Sequence, residues 1–133
     1  MSRLKKMESK IRKYAQTIEH PGTGRHHVVA FATDNHGNII SKASNSYLKT
    51  HPVQAEYAEK VGKEEAIFLH AEVAALVKCR RQPDTVYIAR YGRTGDQMLA
   101  APCPICELAM LEAGVRKVVY TDNSGNFINK VLL

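Results

Sequence analysis

Two short connections constrain this chain more than any other feature. The β-rich runs "HHVVAFATD" (26–34) and "IISKAS" (39–44) are parted only by "NHGN". Near the C-terminus, "VRKVVYT" (115–121) and "FINKVLL" (127–133) are parted only by "DNSGN". A parallel crossover needs about a dozen residues, so each pair must fold back as an antiparallel hairpin. Gly37 stands where the first turn most needs positive φ. A fifth β-rich run, "TVYIARY" (85–91), lies between the hairpins.

Helical signals fill the spaces. Leu4, Met7, Ile11, Tyr14, Ala15 and Ile18 recur at three- and four-residue steps, which predicts an amphipathic helix over about 3–19, stopped by "HPGTG" (20–24). "IFLHAEVAALVKCRR" (67–81) reads as a second helix, broken by "QPD". "CPICELAMLEAG" reads as a third, from Cys103 to about Ala113, with Gly114 as its stop. A long connection, "NSYLKTHPVQAEYAEKVGKEEA" (45–66), carries a short helix around Gln54–Val61. A connection of that length in a small domain usually serves function. The expected fold is α/β: a three-layer α/β/α sandwich around a central mixed five-stranded sheet, its last two strands antiparallel. It reads as one domain over residues 1–133, with a basic N-terminal helix (1–25) packed on the sheet.

Composition excludes several classes. No apolar run approaches bilayer length, and the N-terminus has no apolar core of a secretory signal, so no membrane association is expected. The three cysteines, Cys79, Cys103 and Cys106, are an odd number containing a Cys-x-x-Cys pair. That argues against a disulfide framework and for a reducing, cytoplasmic setting. The formal net charge is +6, and residues 1–25 carry seven basic and two acidic side chains, nearly all of that excess. Such a patch can attract phosphates or nucleic acid, but a solvated helix face explains it more simply.

The chemistry concentrates in two stretches. In "FLHAEVAAL" (68–76), His70 and Glu72 interrupt an apolar run, and burying either group is costly without a partner. In "PCPIC" (102–106), Cys103 and Cys106 are three apart at a helix start, so both sulfurs can face one point. His and two Cys are zinc ligands, and three protein ligands leave a catalytic site open for water. Cys79 lies about two and a half helical turns beyond His70, too far to be a fourth; it reads as a small buried hydrophobe. In mid-helix, His70 and Glu72 point in different directions. Glu72 therefore reads as a proton-accepting group beside the ion, and helix N-termini nearby favour thiolates.

His70-Ala71-Glu72 followed by Pro102-Cys103-Pro104-Ile105-Cys106 matches H-x-E…P-C-x-x-C, the signature of zinc nucleobase deaminases. From about residue 26 onward the chain resembles the cytidine/deoxycytidylate deaminase superfamily. The resemblance implies a cytidine-deaminase-like fold and a Zn²⁺ ion held by His70, Cys103 and Cys106, which activates a water. It implies Glu72 as the proton shuttle, the Ala71 backbone N–H as a donor to the base carbonyl, and Asn45 as a contact to base and sugar. From the residues alone, Asn45 reads as a turn residue capping a strand. Oligomers are common in the superfamily, so a homo-oligomer is expected.

The branch is left open by the residues. Pro104 and His70 resemble the deoxycytidylate and tRNA branches. The closing hairpin resembles the free-cytidine branch and some polynucleotide or toxin branches. In the long connection Tyr47 can stack on a base, and Lys49 and His51 can meet a phosphate. The leading expectation is deamination of a cytosine nucleotide or nucleoside of the dCMP/CMP type. The alternatives are a deaminase of cytosine or adenine in single-stranded DNA or RNA, and a non-catalytic zinc-stabilised binding module.

Overall fold

A computed structural model of the chain describes residues 3–18, 27–46, 49–65, 68–92 and 95–132. The elements run α1 (Arg3–Thr17), β1 (His27–Thr33), β2 (Ile39–Ser44), α2 (Pro52–Lys60), α3 (Ala71–Lys78), β3 (Thr85–Tyr91), β4 (Gln97–Met98), α4 (Pro104–Glu112), β5 (Lys117–Thr121) and β6 (Phe127–Val131). Both short connections are antiparallel hairpins, β1–β2 and β5–β6. The two turns use one device. Asp34 Oδ1 accepts the N–H groups of His36 and Asn38, each at 2.9 Å. Asp122 Oδ1 likewise accepts those of Ser124 at 2.8 Å and Asn126 at 2.9 Å. Gly37 adopts φ +84° in the first turn, a conformation that only glycine takes without strain.

The sheet order is β2-β1-β3-β5-β6, with β3 and β5 parallel and the other neighbours antiparallel. The expected five strands are all present. A sixth was not foreseen: β4 pairs with Arg90 and Tyr91 of β3, beyond the last β3–β5 pair at Ile88 and Tyr120. Two residues are too few to show any alternation in sequence.

Alternation along the strands sorts the core into two layers. Val29 and Phe31 of β1, with Tyr87, Ala89 and Tyr91 of β3, pack under Met7, Ile11 and Ala15 of α1. Ala30, Ala32, Val86 and Ile88 point the other way, into the core shared with α3 and α4. Around α3 that core is built from small residues: Ala30, Ala32 and Ala43 of the sheet against Ala71, Ala74 and Ala75 of the helix. Alanines let a helix axis come close to a sheet, which fixes the height of the helix that carries Glu72.

The helix expected over 67–81 is shorter than its apolar run suggests. It begins at Ala71 because the preceding residues are held extended. Leu69 N–H donates to the Lys49 carbonyl at 3.0 Å and Ser46 N–H to the Leu69 carbonyl at 2.9 Å. It ends at Lys78, with Cys79 extended. Cys79 is half-buried rather than buried, with its Sγ 3.4 Å from Ser41 Oγ.

Candidate active site

Two helix starts meet on the α3/α4 side of the sheet. His70 is the N-cap of α3 and Cys103 the N-cap of α4, both with extended backbone, and Cys106 follows in the first turn of α4. His70 Nδ1 lies 3.2 Å from Cys106 Sγ and 3.5 Å from Cys103 Sγ. The three ligand atoms all lie within 4.8 Å of one another, and no other such cluster of metal-ligating side chains occurs among the described residues. Tetrahedral zinc with bonds of about 2.0–2.3 Å spaces its N and S ligands by roughly 3.5–3.8 Å. One imidazole and two sulfurs are a zinc donor set; the 3.5 Å separation matches this spacing, the 3.2 Å one is somewhat shorter, and Nδ1 is the ring atom turned toward the sulfurs.

The neighbouring Glu72 is the second residue of α3 and is 6% exposed. His70 stands immediately before the helix rather than inside it, and Glu72 is not part of the ligand cluster. Both line one cleft of about 390 Å³, with Ala71, Cys103 and Asn45. That volume suits a small molecule.

The electrostatics follow from burial and from close sulfurs. Burial pushes the Glu72 carboxyl up, opposed by its own backbone N–H and by His70. The Cys103 thiol is pulled down to about 4, chiefly by its hydrogen bond with Cys106 and secondly by His70. Cys106 is pushed up by that same shared hydrogen bond and by burial. His70 is raised by its bond to Cys103. The downward shift at Cys103 favours the thiolate, the state a soft metal needs.

A second layer holds this one in place. Gln54 of α2 is fully buried, and its Oε1 accepts the backbone N–H of His70 at 3.2 Å. Asn45, just beyond β2, accepts the Val28 N–H through Oδ1 at 3.0 Å and donates its own N–H to the Val28 carbonyl at 3.0 Å. Asn45 is therefore both a strand-end residue and a cleft-lining one.

Lys49 and His51 stand apart from the cluster of site residues. Neither lines the cleft. His51 is the N-cap of α2, and its Nδ1 accepts the Val53 N–H at 3.1 Å. An imidazole held by the backbone in this way is a structural cap. Tyr47 lies outside the described residues. Sequence reasoning also missed other cleft residues, Phe68 and Arg90 among them. A signal for Arg90 existed: it is the one charged residue in "TVYIARY".

A family model described as "Cytidine and deoxycytidylate deaminase zinc-binding region" matches residues 1–122. Among solved structures the chain is similar to a cytidine deaminase from Burkholderia pseudomallei. The two share 17% identity and superimpose with a TM-score of 0.62, covering 99% of this chain and 94% of that one. At that identity the likeness is one of fold. No curated protein matches the chain. Among the described residues, no helix is long and apolar enough to cross a membrane.

Proposed function

The chain belongs to the cytidine and deoxycytidylate deaminase family, and from that premise we propose that it deaminates a cytosine nucleotide or nucleoside of the dCMP or CMP type. Water adds at the ring carbon bearing the amine, the amine leaves as ammonia, and the carbon keeps the oxygen as a carbonyl. Cytosine plus water gives uracil plus ammonia. The observation that carries this reading is the buried Glu72 carboxyl sharing one small cleft with His70 and Cys103.

His70, Cys103 and Cys106 are the residues that would hold zinc. When bound, the ion supplies Lewis-acid activation of a water. Glu72 takes one proton from the attacking water and gives it to the ring nitrogen, then takes the remaining hydroxyl proton and gives it to the departing amine, which leaves as ammonia. Burial favours this role, because it raises the proton affinity of the Glu72 carboxyl. Ala71 is the first residue of α3, so its N–H has no intrahelical acceptor and can meet the base carbonyl. Asn45 Oδ1 is occupied by Val28, which leaves the side-chain N–H₂ to donate to substrate. A thiolate ligand set suits a reducing, cytoplasmic compartment.

Two other readings are less well supported. A polynucleotide substrate would draw on the basic helix, but α1 packs on the sheet face opposite the cleft. A purely structural zinc module gives no reason to bury Glu72 beside the ligands, at a desolvation cost. The test is ammonia release from a panel of dCMP, CMP, deoxycytidine, cytidine, adenosine and short single-stranded DNA and RNA. Turnover of a free cytosine nucleotide or nucleoside that Glu72→Ala abolishes supports the reading. Turnover of oligonucleotides alone, or of nothing, sinks it.

A further inference from the structure

We infer that Arg90 reads the phosphate of the substrate, so that this cleft selects a nucleoside monophosphate over the bare nucleoside. The inference rests on the deaminase reading above and names the substrate class within it.

The first support is register. Tyr87, Ala89 and Tyr91 of β3 face α1, while Val86 and Ile88 face the α3/α4 core. Alternation sends Arg90 to the second face. There its side chain lines the same cleft as His70, Glu72 and Asn45.

The second support is where the strand ends. Ligands in sheets with parallel pairs bind in the crevice beyond the carboxyl ends of the strands. β3 and β5 are the parallel pair, and their last partners are Ile88 and Tyr120. Arg90 is two residues further along β3, where β4 takes over the pairing. Its backbone is fixed there. The Arg90 N–H donates to Thr121 Oγ1 at 3.2 Å, and the Thr121 hydroxyl donates onward to the Met98 carbonyl at 2.7 Å. Thr121 is fully buried. The guanidinium is thus carried on a rigid strand end rather than on a loop.

The third support is charge. Arg90 is the one permanent cation among the described residues lining the cleft. Lys49, the other cation considered for this role, lies outside the cleft. A guanidinium stays charged at any working pH and offers a planar fork that matches two phosphate oxygens.

The experiment compares dCMP with deoxycytidine on the zinc-loaded wild type, Arg90→Gln and Arg90→Lys, with zinc content and thermal midpoint confirming that each is folded. The wild type should prefer dCMP. Arg90→Gln should lower the dCMP-to-deoxycytidine ratio of kcat/KM by about 10- to 100-fold, as expected for losing a charge-assisted contact. The loss should fall mainly on the KM for dCMP, and Arg90→Lys should recover part of it. A ratio unmoved by Arg90→Gln, or a wild type that prefers deoxycytidine, overturns the inference. If neither compound is turned over, dCMP binding is measured by calorimetry. Binding weakened at least tenfold by Arg90→Gln keeps the phosphate role while the deaminase reading fails. Binding that is absent or indifferent to Arg90 removes both.

Discussion

Gln54 Oε1 accepts the backbone N–H of His70 at 3.2 Å, tying α2 to the residue that begins the metal cluster. The contact explains why the long connection before α3 is ordered around "THPVQ". His51 caps α2, Pro52 starts it, and Gln54 reaches back to the ligand. Gln54→Leu keeps the volume but leaves the His70 N–H without that acceptor. Outer-shell losses of this kind cost metal sites about 10- to 100-fold in affinity. Chelator competition should show zinc bound more weakly in that range, with the circular dichroism of the fold retained. Equal zinc affinity in the two proteins contradicts the role.

Glu72 and the ligands should separate cleanly. Glu72→Gln is nearly isosteric and removes no sulfur or imidazole. It should retain one zinc per chain by elemental analysis, yet lose at least ~10²-fold in turnover, the usual scale of general acid–base catalysis. Cys106→Ser, by contrast, should lose zinc and turnover together. A Glu72→Gln protein that keeps near wild-type turnover would remove the carboxyl from the chemistry.

Close approach of α3 to the sheet depends on alanine. Ala75 is fully buried, and its carbonyl accepts the Ser41 hydroxyl at 2.7 Å. Ala75→Leu has no space to fill and should cost roughly 1–3 kcal/mol by overpacking. A lower thermal midpoint should be accompanied by lower kcat, because α3 carries Glu72. An unchanged midpoint would mean that the helix is not held as closely as described.

Acid stability should report on Asp84. Its carboxylate accepts Arg116 Nε at 3.1 Å and a terminal guanidinium nitrogen at 3.2 Å. The Arg116 hydrogen bond, ahead of the Thr85 hydroxyl, holds the Asp84 pKa below its ordinary 3.8. A depressed carboxyl contributes stability that is fully present above the unfolded value and is lost as pH falls through the lower folded value. The contribution should therefore be complete at pH 5 and fade below about 3.8. Asp84→Asn should be less stable than wild type at neutral pH, and the gap should close as the pH approaches 2. A gap of constant size from pH 7 to pH 2 would rule the pairing out as its source.

What could be read from the sequence divides along physical lines. The hairpins were legible because their turns are too short for any other path, and β2 and β3 fall on the expected 39–44 and 85–91. The metal cluster was legible because His and Cys at that spacing have few other uses. The N-terminal limit of α3 was not, since it is set by backbone partners at Ser46 and Lys49 that only the tertiary fold supplies. For the same reason "LHAEV" looked helical throughout. Lys49 and His51 were chosen for their chemistry alone, and neither is among the described residues that line the cleft. Arg90 went unnoticed because an arginine at a strand end is ordinarily solvated. Only the register of β3 against β1 and β5 brings it to the site.

The central claim is that His70, Cys103 and Cys106 bind one zinc whose presence lets Glu72 deaminate a cytosine compound. The most direct measurement titrates Zn²⁺ into chelator-stripped protein and follows bound zinc and ammonia released from dCMP in the same samples. Both should rise together and saturate at one ion per chain, with Glu72→Gln following the zinc curve and releasing no ammonia. Saturation of the zinc curve without ammonia from dCMP or any other cytosine compound, or ammonia release that is indifferent to zinc, would contradict the account.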